Sequence, residues 1–184
     1  MKDFSREDFS FSLCGLNCRL CPMRLGGYCP GCGGGAGNQP CAIARCSLQH
    51  DGVDYCFLCS EFPCSKYDGA EDYDSFITHQ RQLSDIKRVK EIGIDAYNKE
   101  QIRKTEILQI LLAEYNDGRK KTFYCVAVNL LPLPQVEKIM ERIINDPSVN
   151  SLPIKEKAAC VVALFEEDAS KEGIVLKLRK KPTA

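Results

Sequence analysis

Tryptophan is absent from these 184 residues, histidine occurs twice, and 25 Lys+Arg stand against 25 Asp+Glu. Each shortage excludes something. A balanced charge argues against a general nucleic-acid or membrane-surface binder, which carries a basic excess. No run approaches the roughly 20 apolar residues that a transmembrane helix needs. The opening residues, Met1-Lys-Asp-Phe-Ser-Arg-Glu-Asp-Phe9, lack the apolar stretch and cleavage site of a secretory signal. A cytoplasmic, reducing location is therefore expected. With only His50 and His79 available, a catalytic metal site built on imidazole has few candidates. His50, between Cys46 and Cys56, is a conceivable ligand but reads as an exposed loop residue, and His79 as a surface residue.

Cysteine is what the chain has in excess. Ten of its twelve Cys lie between Cys14 and Cys64, in a stretch also rich in Gly and Pro and poor in apolar periodicity. Thiols stay reduced in the cytosol, so a dense cluster there points to metal rather than to disulfides. The order is Cys14-x3-Cys18-x2-Cys21, Cys29-x2-Cys32, Cys41, Cys46, Cys56-x2-Cys59 and Cys64. A two-residue spacing lets one turn aim two sulfurs at one ion, at about 2.3 Å for zinc. Cys29-Pro-Gly-Cys32-Gly33 has the pattern of a zinc knuckle, where glycine permits the positive φ that brings amides to the thiolates.

All ten, Cys14, Cys18, Cys21, Cys29, Cys32, Cys41, Cys46, Cys56, Cys59 and Cys64, are expected metal ligands, enough for two zinc ions. Two divisions are open. One joins Cys29 and Cys32 with Cys56 and Cys59, leaving Cys14, Cys18 and Cys21 with one of Cys41, Cys46 or Cys64. The other joins Cys18, Cys21, Cys29 and Cys32, and separately Cys41, Cys46, Cys56 and Cys59. An iron–sulfur cluster is the alternative cofactor. Cys14-x3-Cys18-x2-Cys21 has the radical SAM spacing, but no series of βα units follows it, and that chemistry is rejected. Thiol-redox catalysis is disfavoured because no Cys-x-x-Cys stands between a strand and a helix. Cys125 and Cys160 lie in apolar helical runs and read as small core residues.

The second part of the chain is periodic. Leu83, Ile86 and Val89 suggest a short helix closed by Gly93, and Asp95 is read as the N-cap of a helix reaching about Tyr115. Phe123, Val126, Ala127, Leu130 and Leu131 follow helical spacing, as do Val136, Ile139, Met140, Ile143 and Ile144. Pro132 and Pro134 separate the two runs. A last helix starting near Ser151 would bury Ile154, Ala158, Val161, Val162 and Phe165. Alternation at 9–13 and 174–179 suggests two short strands that pair.

The fold expected is α+β and mainly helical. A cysteine-rich, metal-stapled module over residues 1–68 precedes a helical part over 69–184 with at most a short strand pair. The module has too few large apolar residues for a core of its own, so metal is expected to hold it. Arg19, Arg24 and Arg45 balance Asp51, Asp54 and Glu61 between Cys14 and Cys64, so two four-thiolate zinc sites would leave the module acidic. That favours a protein partner over nucleic acid or membrane. Arg119-Lys-Lys121 and Lys177–Lys181 read as solvated surface.

Cys14-Gly-Leu-Asn-Cys18-Arg-Leu-Cys21-Pro22, the Cys29-Pro-Gly-Cys32 knuckle, Cys41-Ala-Ile-Ala-Arg-Cys46 and Cys56-Phe-Leu-Cys59-Ser-Glu-Phe-Pro-Cys64 occur in that order. So do Ile92-Gly-Ile-Asp-Ala-Tyr97, Tyr115-Asn-Asp-Gly118 and Phe123-Tyr-Cys-Val-Ala-Val-Asn-Leu130. The series resembles the prokaryotic cysteine-rich family known as domain of unknown function 3795. The resemblance implies a cytoplasmic prokaryotic protein with metal-binding cysteines, and it brings no reaction, substrate or catalytic residue. The expected function is structural zinc binding with a protein-interaction role. An iron–sulfur redox or carrier protein and a zinc- or thiol-dependent enzyme are the alternatives.

Overall fold

A computed structural model describes residues 3–35 and 41–182. Part of the glycine stretch Gly33–Gly37, read from sequence as a flexible loop, falls outside the described residues. The chain is mainly helical. In order, the α-helices are α1 (Pro22–Leu25), α2 (Ala42–Gln49), α3 (Gln82–Ile92), α4 (Ile94–Glu114), α5 (Lys121–Leu130), α6 (Leu133–Ile144), α7 (Pro147–Asn150) and α8 (Ile154–Lys171). Single 3-10 turns cover Cys18–Leu20, Cys56–Leu58 and Ser65–Tyr67. No helix is long and apolar enough to cross a membrane among the described residues.

Two compact units divide the chain. One comprises Met1–Gln101 with Arg179–Ala184, the other Ile102–Leu178. The compositional break near residue 68 does not mark this division, because α3 and the start of α4 group with the cysteine-rich segment.

In the second unit the helical spacing has its expected consequence. Val136, Ile139, Met140 and Ile143 of α6 are buried, as are Ala158, Val161 and Phe165 of α8. Ile144 and Ile154, also placed inward by periodicity, are exposed, because each lies in a terminal turn. Every residue of α5 from Tyr124 to Leu130 is buried, which explains why its sequence is apolar enough to pass for a strand. Tyr124 donates its hydroxyl to the Tyr115 carbonyl at 2.7 Å and meets Phe165 edge-on at 6.4 Å. Asp146 caps α7, accepting from the amides of Ser148 and Val149, as its place before Pro147 suits.

Three sequence expectations need correction. Asp95 does not cap α4. It lies inside the first turn, where its carboxylate favours the positive end of the helix dipole. The strand pair between 9–13 and 174–179 does not form. Phe11 instead makes an isolated antiparallel bridge to Asn17, six residues along its own chain. Ile174 and Lys177 bond locally, to the carbonyls of Ala169 and Val175. The alternation at 9–13 arises from a compact turn, in which Ser12 N–H reaches the Leu16 carbonyl at 2.8 Å and Arg19 N–H reaches Ser10 at 3.1 Å.

The third correction concerns the core of the cysteine-rich segment. Two small clusters exist. Phe4, Leu13 and Ala44 form one, flanked by Cys32, Cys41 and Cys56. Phe11 and Tyr67 join Ile86 and Val89 of α3 and Tyr97 of α4 in the other. The apolar side chains missing from the first 67 residues are thus supplied by α3 and α4. Gly93 turns the chain between these helices with φ +84°, and its amide closes α3 on the Val89 carbonyl at 2.9 Å.

A buried polar chain fixes this packing. The Tyr97 hydroxyl donates to Asn17 Oδ1 at 3.0 Å, and Asn17 Nδ2 donates to Asp85 Oδ2 at 2.9 Å. Arg81 Nε binds the other Asp85 oxygen at 3.2 Å. Removing the middle member strands groups that water does not reach. Asn17→Ala should cost about 2–3 kcal/mol, read as a shift in the urea unfolding midpoint; a change below about 0.5 kcal/mol would show that the chain carries no such weight.

Candidate metal centre

The Ser12–Cys18 turn builds the first group of thiols. Gly15 sits at φ +94°, and a Cβ there would fall 2.6 Å from Ile86 and 2.9 Å from the Gln82 carbonyl. Only glycine therefore lets α3 close on the turn. Outside it, Cys18–Leu20 forms a 3-10 turn and Cys21 stands at the N-cap of α1, directing the chain towards the knuckle.

Cys14 lies within electrostatic reach of Cys32 and Cys41, Cys18 within reach of Cys32, Cys14 and Cys21, and Cys32 within reach of Cys41. Burial is the largest influence on Cys14, pushing its thiol up to about 12, and charge on Cys32 or Cys41 would raise it further. Cys18 is likewise pushed up to about 12, first by burial, then by Cys32 and Cys14, with Cys21 a lesser neighbour. Burial also raises Cys32, and Cys41 adds to the effect. Backbone amides oppose burial: Leu16 donates to the Cys14 sulfur, Cys32 to that of Cys18 and Leu13 to that of Cys32. The Ser12 hydroxyl stands 3.2 Å from the Cys14 sulfur. Of these amides only that of Cys32 belongs to the knuckle.

The knuckle's glycines fit the same reading. Gly31 and Gly33 have φ of +95° and +85°. A Cβ on Gly33 would come within 2.8 Å of the Arg6 amide, and one on Gly31 within 2.9 Å of the Phe9 carbonyl. Both residues let the knuckle lie flat on the segment from Arg6 to Phe11.

Cys46, Cys56, Cys59 and Cys64 make the second group. With His50 and Tyr67 they line a cavity of about 30 Å³, room for one or two water-sized bodies. Burial, followed by charge on Cys64, Cys46 and Cys59, raises Cys56 to about 11, while the nearby Tyr67 hydroxyl works the other way. His50 stands one helical turn after Cys46. Its Nδ1 lies 3.6 Å from the Cys46 sulfur and 2.9 Å from the Cys46 carbonyl, and its Nε2 is 3.4 Å from Glu61. The Cys46 carbonyl, then Glu61, raise the His50 pKa. His50 is thus drawn to the second group, where sequence placed it on an exposed loop. His79 is half-buried and bonds to the Ala70 carbonyl and the Ser75 hydroxyl.

The two groups share supports. Helix α2 carries Cys41 at its N-cap and Cys46 in its body, one thiol for each group. The Cys56 amide donates to the Leu13 carbonyl at 2.9 Å. The Cys14 carbonyl accepts from the Tyr67 hydroxyl at 3.2 Å and from Gln82 Nε2 at 2.8 Å. Tyr67 and Gln82 carry no sequence signal of this role, since only the fold brings them to Cys14.

This grouping matches neither division open at the sequence level. The nearer one placed Cys46, Cys56 and Cys59 together but took Cys41 where the structure has Cys64. Cys21 borders the first group, and Cys29 is half-buried at the head of the knuckle. None of the twelve cysteines is in a disulfide; Cys125 is buried and Cys160 half-buried. Among the described residues, no group of three or more His, Cys, Asp or Glu is placed so that it could hold a metal ion. The donors themselves, soft thiols in groups of four, suit zinc or an iron–sulfur cluster and not magnesium or calcium.

Crowding at the knuckle can be tested against a control with the same backbone strain. Gly27 also has positive φ, at +73°, but a Cβ there meets nothing within 4 Å. Gly27→Ala should cost about 1 kcal/mol. Gly33→Ala should cost about 2 kcal/mol more, because it also displaces Arg6. Urea unfolding followed by tyrosine fluorescence measures both, and equal costs would refute the packing.

In comparisons with known proteins, no family model, curated protein or solved structure matches the chain.

Proposed function

We propose that this is a zinc protein in which two ions hold the cysteine-rich segment folded and the ordered loops present a surface to a protein partner. Cys14, Cys18, Cys32 and Cys41 would take one ion, and Cys46, Cys56, Cys59 and Cys64 the other. The observation that supports the reading is the clustering of Cys14, Cys18, Cys21, Cys32 and Cys41 near one another, and of Cys46, Cys56, Cys59 and Cys64 along one cavity, in a segment without disulfides. Cys21 and Cys29, beside the first group in sequence, are further donors.

The chemistry required of the metal is modest. Four thiolates close its shell, leaving no open position for substrate. The ion offsets charge that burial makes costly, and its binding contributes to folding, on the order of 10 kcal/mol per structural site. The shell would leave the segment acidic, and Tyr28, Leu48 and Leu58 are its large exposed apolar residues, which suits a protein surface better than a phosphate backbone. We place the chain, on its ordered cysteine motifs, in the cytoplasmic prokaryotic family named above. A catalytic variant of the reading draws on His50 as an imidazolium, its Nδ1–H shared between the Cys46 carbonyl and a Cys46 thiolate and its Nε2 towards Glu61. It requires Cys46 to be left outside the metal shell.

Elemental analysis and a visible spectrum on anaerobically purified full-length protein test the proposal. Two zinc per chain and no visible colour are expected; iron with visible absorbance would replace zinc by an iron–sulfur cluster. Chelation should expose residues 14–64 to protease while most helicity survives, and unchanged proteolysis after metal removal would sink a structural role. Alkylation of Cys46 in the zinc-loaded chain at the rate of an exposed thiol would favour the catalytic variant.

A further inference from the structure

Ser75 and His79 meet on the loop that precedes α3. Ser75 Oγ stands 3.0 Å from His79 Nε2, and His79 Nδ1 stands 3.1 Å from the Ala70 carbonyl. A carbonyl only accepts, so Nδ1 carries the proton and Nε2 of the neutral ring is the acceptor. Ser75 therefore donates its hydroxyl proton to the imidazole. Its other neighbour, the Ile77 carbonyl, is further off at 3.5 Å. Ser75 is exposed and His79 half-buried. Asp74 fixes the loop independently of this bond. Its side chain is fully buried. Oδ1 accepts from the His79 amide at 2.7 Å, and Oδ2 from Gln80 Nε2 at 3.1 Å and the Arg179 amide at 2.7 Å. The Asp74 amide in turn reaches the carbonyl of Arg179, which belongs to the same compact unit, at 2.8 Å.

The order is hydroxyl, imidazole, orienting acceptor, which is the arrangement of a nucleophile with its base. Tethering the loop does not need the Ser75–His79 bond, because Asp74 already supplies the tether. We propose that Ser75 is an acyl-accepting nucleophile with His79 as its base, and that the acyl donor is an apolar ester. The pair lies outside the two thiol groups, so the inference stands apart from the zinc reading. Ser75 Oγ attacks the ester's carbonyl carbon while its proton passes to His79 Nε2. As the tetrahedral intermediate collapses, the bond to the leaving oxygen breaks and the alcohol takes the proton from Nε2. The products are acyl-Ser75, the free alcohol and neutral His79. Among the described residues, the Phe76 amide, next after the nucleophile, makes no hydrogen bond and is a donor for charge developing on the carbonyl oxygen. The donor's apolar character follows from Tyr73 and Phe76, large exposed aromatic residues on either side of Ser75 in sequence.

The test exposes the full-length protein to p-nitrophenyl butyrate. Release of p-nitrophenolate follows the reaction, and mass spectrometry of proteolytic peptides locates and times each butyryl group, separating serine from lysine and cysteine. Ser84 is the internal comparison, an exposed serine whose hydroxyl donates to the Arg81 carbonyl at 3.0 Å and has no histidine partner. Ser75 should be butyrylated about 100-fold faster than Ser84, the lower range for a positioned base. His79→Gln should remove that advantage and leave Ser84 unchanged. Ser75→Ala should abolish the corresponding share of p-nitrophenolate release. In urea-unfolded natural chain the two serines should react alike, a result that holds whether or not the His79 variant keeps its loop in place. Equal labelling of Ser75 and Ser84 in the folded protein, a Ser75 rate untouched by His79→Gln, or a Ser75 advantage that persists in urea would each overturn the inference.

Discussion

The Ser12–Cys18 turn is held from outside, and the gathering of thiols depends on that grip. A turn of this size has three backbone bonds of its own, too few to fix six side chains in a segment without strands. Helix α3 supplies the rest. Gln82 binds the Cys14 carbonyl, Asp85 binds Asn17, and Ile86 lies against Gly15. Tyr97 of α4 takes the other end of the Asn17 amide. The bonds join residues far apart in sequence, and the two through Asn17 are buried, so each of those is costly to break. Once the turn is set, the Leu13 carbonyl is placed for the Cys56 amide, and the second group is fixed relative to the first.

Burial and charge then oppose one another. Buried thiols resist ionisation, which is why Cys14, Cys18 and Cys56 lie well above the ordinary cysteine value. Metal binding requires the thiolate. A metal bound by such thiols would have to offset that cost, together with the amides aimed at sulfur. The first group has amides from Leu13, Leu16 and Cys32 together with Arg6. Desolvation also makes each of these interactions stronger than it would be in water. The same burial that raises the thiols therefore strengthens whatever neutralises them.

Much of the helical architecture is legible in the sequence, because α5, α6 and α8 repeat apolar residues at helical spacing and proline marks their ends. The failures have a common cause. Periodicity describes what a segment would do alone, and the misread segments answer to partners. The alternation at Phe9, Phe11 and Leu13 looks like a strand, but it packs Phe11 on Tyr97 and Leu13 beside Ala44 around a local turn. The cysteine-rich segment looks coreless because Ile86, Val89 and Tyr97, which complete its core, come later in the chain. Positive φ at Gly33 was legible, since the knuckle pattern demands it after the second cysteine; that at Gly31 was not. Arg6, Tyr67 and Gln82 were not, because nothing local distinguishes them from other polar residues.

The division of the thiols shows where cysteine spacing stops carrying information. Cys56 and Cys59 are three residues apart across one 3-10 turn and fall in the same group, as a two-residue spacing suggests. Cys41 and Cys46 are separated by four residues along α2 and fall in different groups. Five steps along an α-helix turn a side chain by about 140° from where it began. A helix in that interval therefore sends the two sulfurs to opposite sides, with buried Ala44 packing between the loops that hold them. Cys59 and Cys64 have the same separation but no helix between them, and they share the cavity. The conformation of the interval, not its length, decides whether two cysteines share a group, and here a single helix of eight residues divides one run of thiols into two.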